Sequence, residues 1–125
     1  MKVTRLIAAV GLCAAASAPL AAHHSAAMFD DEKVVELNGT IKEVQWTNPH
    51  IWVQVMAKDP RGTAGPEVEW SIEGGSPNGL SRRGWTRNAM KAGDKVTVVI
   101  HPLKNGEHGG SLMNITVNGK TLGQG

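Results

Sequence analysis

Short runs of alternating apolar and polar residues, cut by glycine and proline, restrict this chain to β-structure. The cleanest is "EVEWSIE", where Val68, Trp70 and Ile72 share one face and Glu67, Glu69, Ser71 and Glu73 the other. "KVVELNGTIKEVQW" alternates with Val35, Leu37 and Ile41 on one parity and Val44 and Trp46 on the other. That switch near Lys42-Glu43, just after Gly39, predicts a long first strand that bends at a glycine or a bulge. "TNPH" reads as a turn, and "HIWVQVMA" as a second strand with Ile51, Val53 and Val55 facing one way and Trp52, Gln54 and Met56 the other. "DKVTVVIH" and "SLMNITV" give a fourth and a fifth strand, the last leading into an Asn118-Gly119 turn.

Between the third and fourth strands the pattern breaks. In "SPNGLSRRG" Ser76 is a candidate N-cap with Pro77 at the first helical position, and "TRNAMKAG" forms a further turn or two ended by glycine. Five strands, the first long and bent, with a short helical insert between strands 3 and 4 is the order of a small all-β OB-like Greek-key barrel. A plain antiparallel sandwich or roll is the alternative. The four tryptophans carry most of the aromatic bulk and are expected to dominate the core.

The chain opens with "MKVTRLIAAVGLCAAASAPLAA": a positive start at Lys2 and Arg5, an apolar run from Leu6 to Ala16, then small residues. This is the layout of a secretory signal peptide, and the apolar run is too short to span a bilayer. Cleavage after Ala22 leaves Leu20 two residues behind the cut and cleavage after Ala21 leaves Pro19 there, which favours the first. Cys13, preceded by bulky Leu12 where a lipoprotein anchor wants a small residue, leaves with the signal. The organisation is then a signal over residues 1–22, an arm over 23–32 and one barrel domain over 33–125, exported to the periplasm.

Loss of Lys2 and Arg5 takes the formal charge of +2 to zero, so the basic sequence gives no support to a nucleic-acid partner. No later segment is long or apolar enough for membrane insertion after signal cleavage. Catalytic patterns are missing too: there is no nucleophile-elbow pattern, phosphate loop or HExxH, and the mature region has no cysteine. Glu69 and Glu73 share a strand face, where paired carboxylates are usually a solvated edge. An enzyme is not expected.

The strings "AHHSAAMFD", "LNGTIKEVQWTNPHIWVQV", "EGGSPNGLSRRGW" and "KAGDKVTVVIHPLKNGEHGGSL" together resemble an exported bacterial family of small β-rich proteins catalogued as a domain of unknown function. The resemblance covers nearly all of the mature region. It implies that His23-His24-Ser25, Asn48-Pro49-His50 and Ile100-His101-Pro102 belong to the family's pattern, and it implies little about activity.

In an OB barrel the loops joining strands 1 to 2 and 4 to 5 flank the usual ligand face. His50 ends the first loop, His101 enters the second and His108 lies within it. Convergent imidazoles there would hold a transition metal, copper above all. His23 and His24 would add nitrogen donors at a newly freed amine, and an extended arm of ten residues reaches back roughly 30 Å. The alternatives are ordinary ones: His50 closing the Asn-Pro turn by a hydrogen bond, His101 a strand-end residue before Pro102, His108 solvated in a glycine-rich loop. Met28, Met56, Met90 and Met113 read as core filling. Arg82, Arg83 and Arg87 project from the insert around Trp85, which is either a core plug or the anchor of a surface that docks to an envelope protein partner. The opposing reading of those arginines is a solvated face balanced by Glu67, Glu69 and Glu73.

Overall fold

The computed structural model describes residues 26–62 and 64–123, so residues 1–22, where a signal is expected, and His23 and His24 lie outside the described residues. Six strands run β1 (Val35–Gln45), β2 (Trp52–Ala57), β3 (Val68–Glu73), β4 (Lys95–Pro102), β5 (Gly109–Val117) and β6 (Lys120–Gly123), with helix α1 (Pro77–Arg82) between β3 and β4. Their order is β3-β2-β1-β4-β5-β6, and a parallel pairing of β3 with β5 closes the first five into a barrel. This is the OB-like arrangement expected from the order of elements.

The bend in β1 is what makes closure possible. Val35–Thr40 pair with β4, Gly39–Gln45 pair with β2, and the register slips between Ile41 and Glu43. That bulge turns the strand and moves the apolar parity, so Leu37 and Ile41 are buried before it and Val44 and Trp46 pack on the core after it. Gly39 sits where both partners close in: a Cβ there would lie 2.8 Å from Ala57 Cβ and nearer still to the carbonyl oxygen of Met56. A second slip, between Val99 and Ile100 of β4, leaves Met113 of β5 unpaired and returns Leu112 and Ile115 both to the interior.

Ile51 just before β2, Val53 and Val55 of β2, Trp70 and Ile72 of β3, and Val96, Val98 and Ile100 of β4 fill the barrel. One end is plugged by the insert. Ser76 caps α1 by accepting a hydrogen bond from the Gly79 amide at 3.1 Å, Pro77 occupies the first turn, and Leu80, Trp85 and Met90 are buried below it. The expectation that all four tryptophans dominate the core holds for two. Trp70 and Trp85 are buried, while Trp46 and Trp52 are half-buried. Trp52 sits on the outer parity of β2, and Trp46, just past the end of β1, packs partly buried against the core.

The Asn118-Gly119 turn is present, with φ of 50° and 77°, the left-handed pair that a two-residue hairpin needs. It leads into β6, a strand beyond the expected five that pairs with β5 from Asn114 to Val117.

Candidate functional site

The registers of four strands set one row of side chains across the outside of the barrel. Trp52 of β2 is paired with Glu73 of β3, Glu73 with Ser111 of β5, and Ser111 with His101 of β4. Each has an interior neighbour, Val53, Ile72, Leu112 and Ile100, so by the strand's period of two all four project outward. Strands stand about 4.8 Å apart, which places the backbones of Glu73 and His101 about 10 Å from each other.

His50 joins this row from the loop between β1 and β2. The β2–β3 pairing continues past the strand ends through Ile51 N–H to Gly75 O at 3.0 Å and Gly74 N–H to Ile51 O at 2.9 Å. Gly74 is required for that approach, because a Cβ there would meet Ile51 Cδ1 at 3.0 Å and Ile51 Cγ1 closer still. The Gly74 carbonyl is thereby fixed beside the imidazole, and His50 Nδ1–H donates to it at 3.1 Å. A carbonyl oxygen only accepts, so the proton belongs on Nδ1 and the lone pair of the neutral ring is on Nε2. That Nε2 stands 3.5 Å from Glu73 Oε1. Glu73 is only 7% exposed, whereas the His50 side chain is 46% exposed. The pair therefore has a buried carboxylate as its floor and an accessible imidazole as its lip.

Ala26, Phe29, His50, Glu73, Gly74 and Ser111 border a cavity of about 300 Å³. The arm reaches it by pairing beside the end of β4: Phe29 bridges Leu103, Asp30 N–H donates to Pro102 O at 2.8 Å, and Lys104 N–H donates to Met28 O at 2.9 Å. Ala26–Met28 then form one 3₁₀ turn. This pairing carries Ala26 from the start of β1 to the cavity that His50 borders. Residue 24 is two positions from Ala26, a reach of about 7 Å in extended chain.

His101 has a different bond. Its Nδ1–H donates to Lys33 O at 2.8 Å and ties β4 to the base of the arm. His108 is not simply solvated in its loop: Nε2 lies 3.1 Å from Asp59 Oδ2, and the ring meets Trp70 edge-on with centroids 4.9 Å apart. The Arg61 guanidinium covers Trp70 at 4.9 Å and holds Asp59 through contacts of 3.0 and 3.1 Å. Chiefly through Arg61, with burial opposing and His108 adding a smaller contribution, the Asp59 carboxyl is held down at about 2. Among the described residues no three His, Cys, Asp or Glu side chains gather as a ready-made metal site.

On the insert, Arg82, Arg83 and Arg87 are exposed, but Trp85 is 2% exposed and donates from Nε1 to Gly123 O at 3.3 Å. Trp85 is thus the core plug, and it offers no anchor to a partner. Glu69 pairs with Lys42 at 2.8 Å. The residue that sequence reasoning passed over is Glu73, taken there as part of a solvated edge. Its signal was the Gly-Gly that follows, since two residues without side chains let the neighbouring loop close over the strand end.

A family described as "Family of unknown function (DUF6152)" matches residues 10–113. No curated protein and no solved structure matches the chain.

Proposed function

The chain belongs to the family of unknown function DUF6152, which brings no activity with it, and from its own side chains we propose that it is an exported periplasmic protein binding a late transition metal such as copper. The ion would sit at the outer pocket of the barrel, held by His50 with His23 and His24 supplied from the arm, and His101 two strands further along the same face. Export rests on the charged, apolar and small-residue succession of residues 1–22. The observation that carries the metal reading is that Ala26 and Phe29 of the arm border the same cavity as His50. Position 24 is two residues from Ala26, about 7 Å of extended chain, so the histidine pair would be able to reach the cavity that Ala26 borders with His50, whose Nδ1–H is given to Gly74 O.

The test is titration of Cu(II), Cu(I), Ni(II) and Zn(II) into naturally processed protein and into His50→Ala and His101→Ala. Binding tighter than that of a generic histidine peptide, weakened about tenfold or more by His50→Ala, is the expected result. Equal, peptide-like affinity in all three proteins would refute it.

A second reading, a non-catalytic accessory module docking to an envelope protein, is supported by Arg87 and Lys91 bordering a cavity with Trp46 and Met90 on the insert side. A pull-down from envelope extract that loses a protein when Arg82, Arg83 and Arg87 are replaced would favour it.

A further inference from the structure

Past its bulge, β1 loses a neighbour. Val35–Thr40 pair with β4, and that side of the ladder ends where Ile41 N–H donates to Asp94 O at 2.9 Å and Gly93 N–H donates to Ile41 O at 2.8 Å. Glu43–Gln45 then pair with β2 alone, through Gln54, Val53 and Trp52. Among the described residues no backbone hydrogen bond joins 42–46 to the insert. Successive strand residues turn their N–H and C=O to alternate edges, so Glu43–Gln45 present main-chain donors and acceptors on the side away from β2. That side borders a cavity of about 510 Å³, with Arg87, Met90, Lys91 and Ala92 of the insert across it.

The walls suit one kind of occupant. Val44 and Trp46 pack partly buried on the core and Met90 is 3% exposed, which gives an apolar floor. The far wall is held in place: Lys91 N–H donates to Asp94 Oδ2 at 3.0 Å, and Asp94 N–H donates to Lys91 O at 3.1 Å. Its exposed side chains Arg87 and Lys91 are cations, and among the described residues neither is in an ion pair. A lysine commonly shields a free strand edge. Lys42 does not, because it reaches over the outer face of the sheet to Glu69 of β3 at 2.8 Å, on the far side of β2 from the edge.

We propose that an extended acidic segment of a partner protein adds as a strand to this edge of β1, its main chain paired with Glu43–Gln45. Alternate side chains of the segment divide between the apolar floor and the Arg87 and Lys91 cations. This rests on the docking reading above and names the chemistry of the partner. Isologous pairing of two copies through the edge would instead set their cations against each other.

The probe is a peptide of about ten residues alternating valine and glutamate, titrated into isotope-labelled, naturally processed protein and followed by NMR. Amide shifts should centre on 43–46 and 87–91, and Arg87→Glu combined with Lys91→Glu should weaken binding about tenfold or more. A valine-lysine peptide should not bind. Only one edge of an added strand meets β1, so N-methylation of the peptide on one parity should abolish binding and on the other leave it intact. No binding by the acidic peptide, shifts centred elsewhere, or equal behaviour of the two methylated peptides would overturn strand addition. The same amide shifts arising with protein concentration alone would overturn it too, by giving the edge to a second copy. If the peptide fails while envelope extract still yields a protein that the arginine replacements release, strand addition is refuted and the docking reading stands; failure of both refutes both.

Discussion

Asp59, in the loop between β2 and β3, shows what a single side chain contributes. It bonds Arg61 while Arg61 and His108 cover Trp70, so one carboxylate organises the lid over the largest core residue. Its folded value of about 2 lies below the ordinary 3.8, so the contribution is fully present above about pH 4 and is lost as pH falls toward 2. The full linkage is reduced by partial solvent access, leaving about 1 kcal/mol. Asp59→Asn should therefore be less stable than wild type by about that amount in urea unfolding at pH 6, with the two curves converging near pH 2. A difference that persists at pH 2 would assign the effect to packing. At this scale the sequence was legible only in part. His50, His101 and His108 were marked by residue type, but their partners were not, because Gly74 O, Lys33 O and Asp59 come from segments 24, 68 and 49 residues away. Glu73 was hidden for a related reason: alternation assigns it to the outer face, and only the loop that closes over Gly74 makes that position buried.

Among the elements, β1 and the helical insert were the most readable because each carries a local break in pattern. The parity switch after Gly39 is the bulge between Ile41 and Glu43, and Ser76-Pro77 is the start of α1. Strand β6 went unread. "KTLG" holds one apolar residue, Leu122, and four residues with one buried position show no alternation at all. Trp85 had two readings from sequence, since an aromatic between arginines fits a surface anchor as well as a plug; its hydrogen bond to Gly123 on β6 depended on the unread strand. Trp85→Ala should cost about 3–5 kcal/mol in denaturant unfolding, against a smaller loss for Trp52→Ala on the outer face. Equal losses would mean that the insert does not seal the barrel.

For the whole molecule, the order of elements sufficed to specify the barrel, because a long bent first strand can serve two partners and an insert after the third strand seals one end. What the order could not supply was the path of the arm. Residues 28–30 pair with 102–104 through backbone bonds alone, which leave no periodic trace in composition, and that pairing carries Ala26 to the cavity of His50 and Glu73. The central claim is that arm and loop histidines hold one ion. Calorimetric titration of Zn(II) and Cu(II) should compare chains beginning at residue 23 and at residue 26, each with and without His50→Ala. If the ion is shared, either change alone weakens binding about tenfold or more, and the two together cost clearly less than their sum. Full additivity, or an affinity indifferent to where the chain begins, would contradict it.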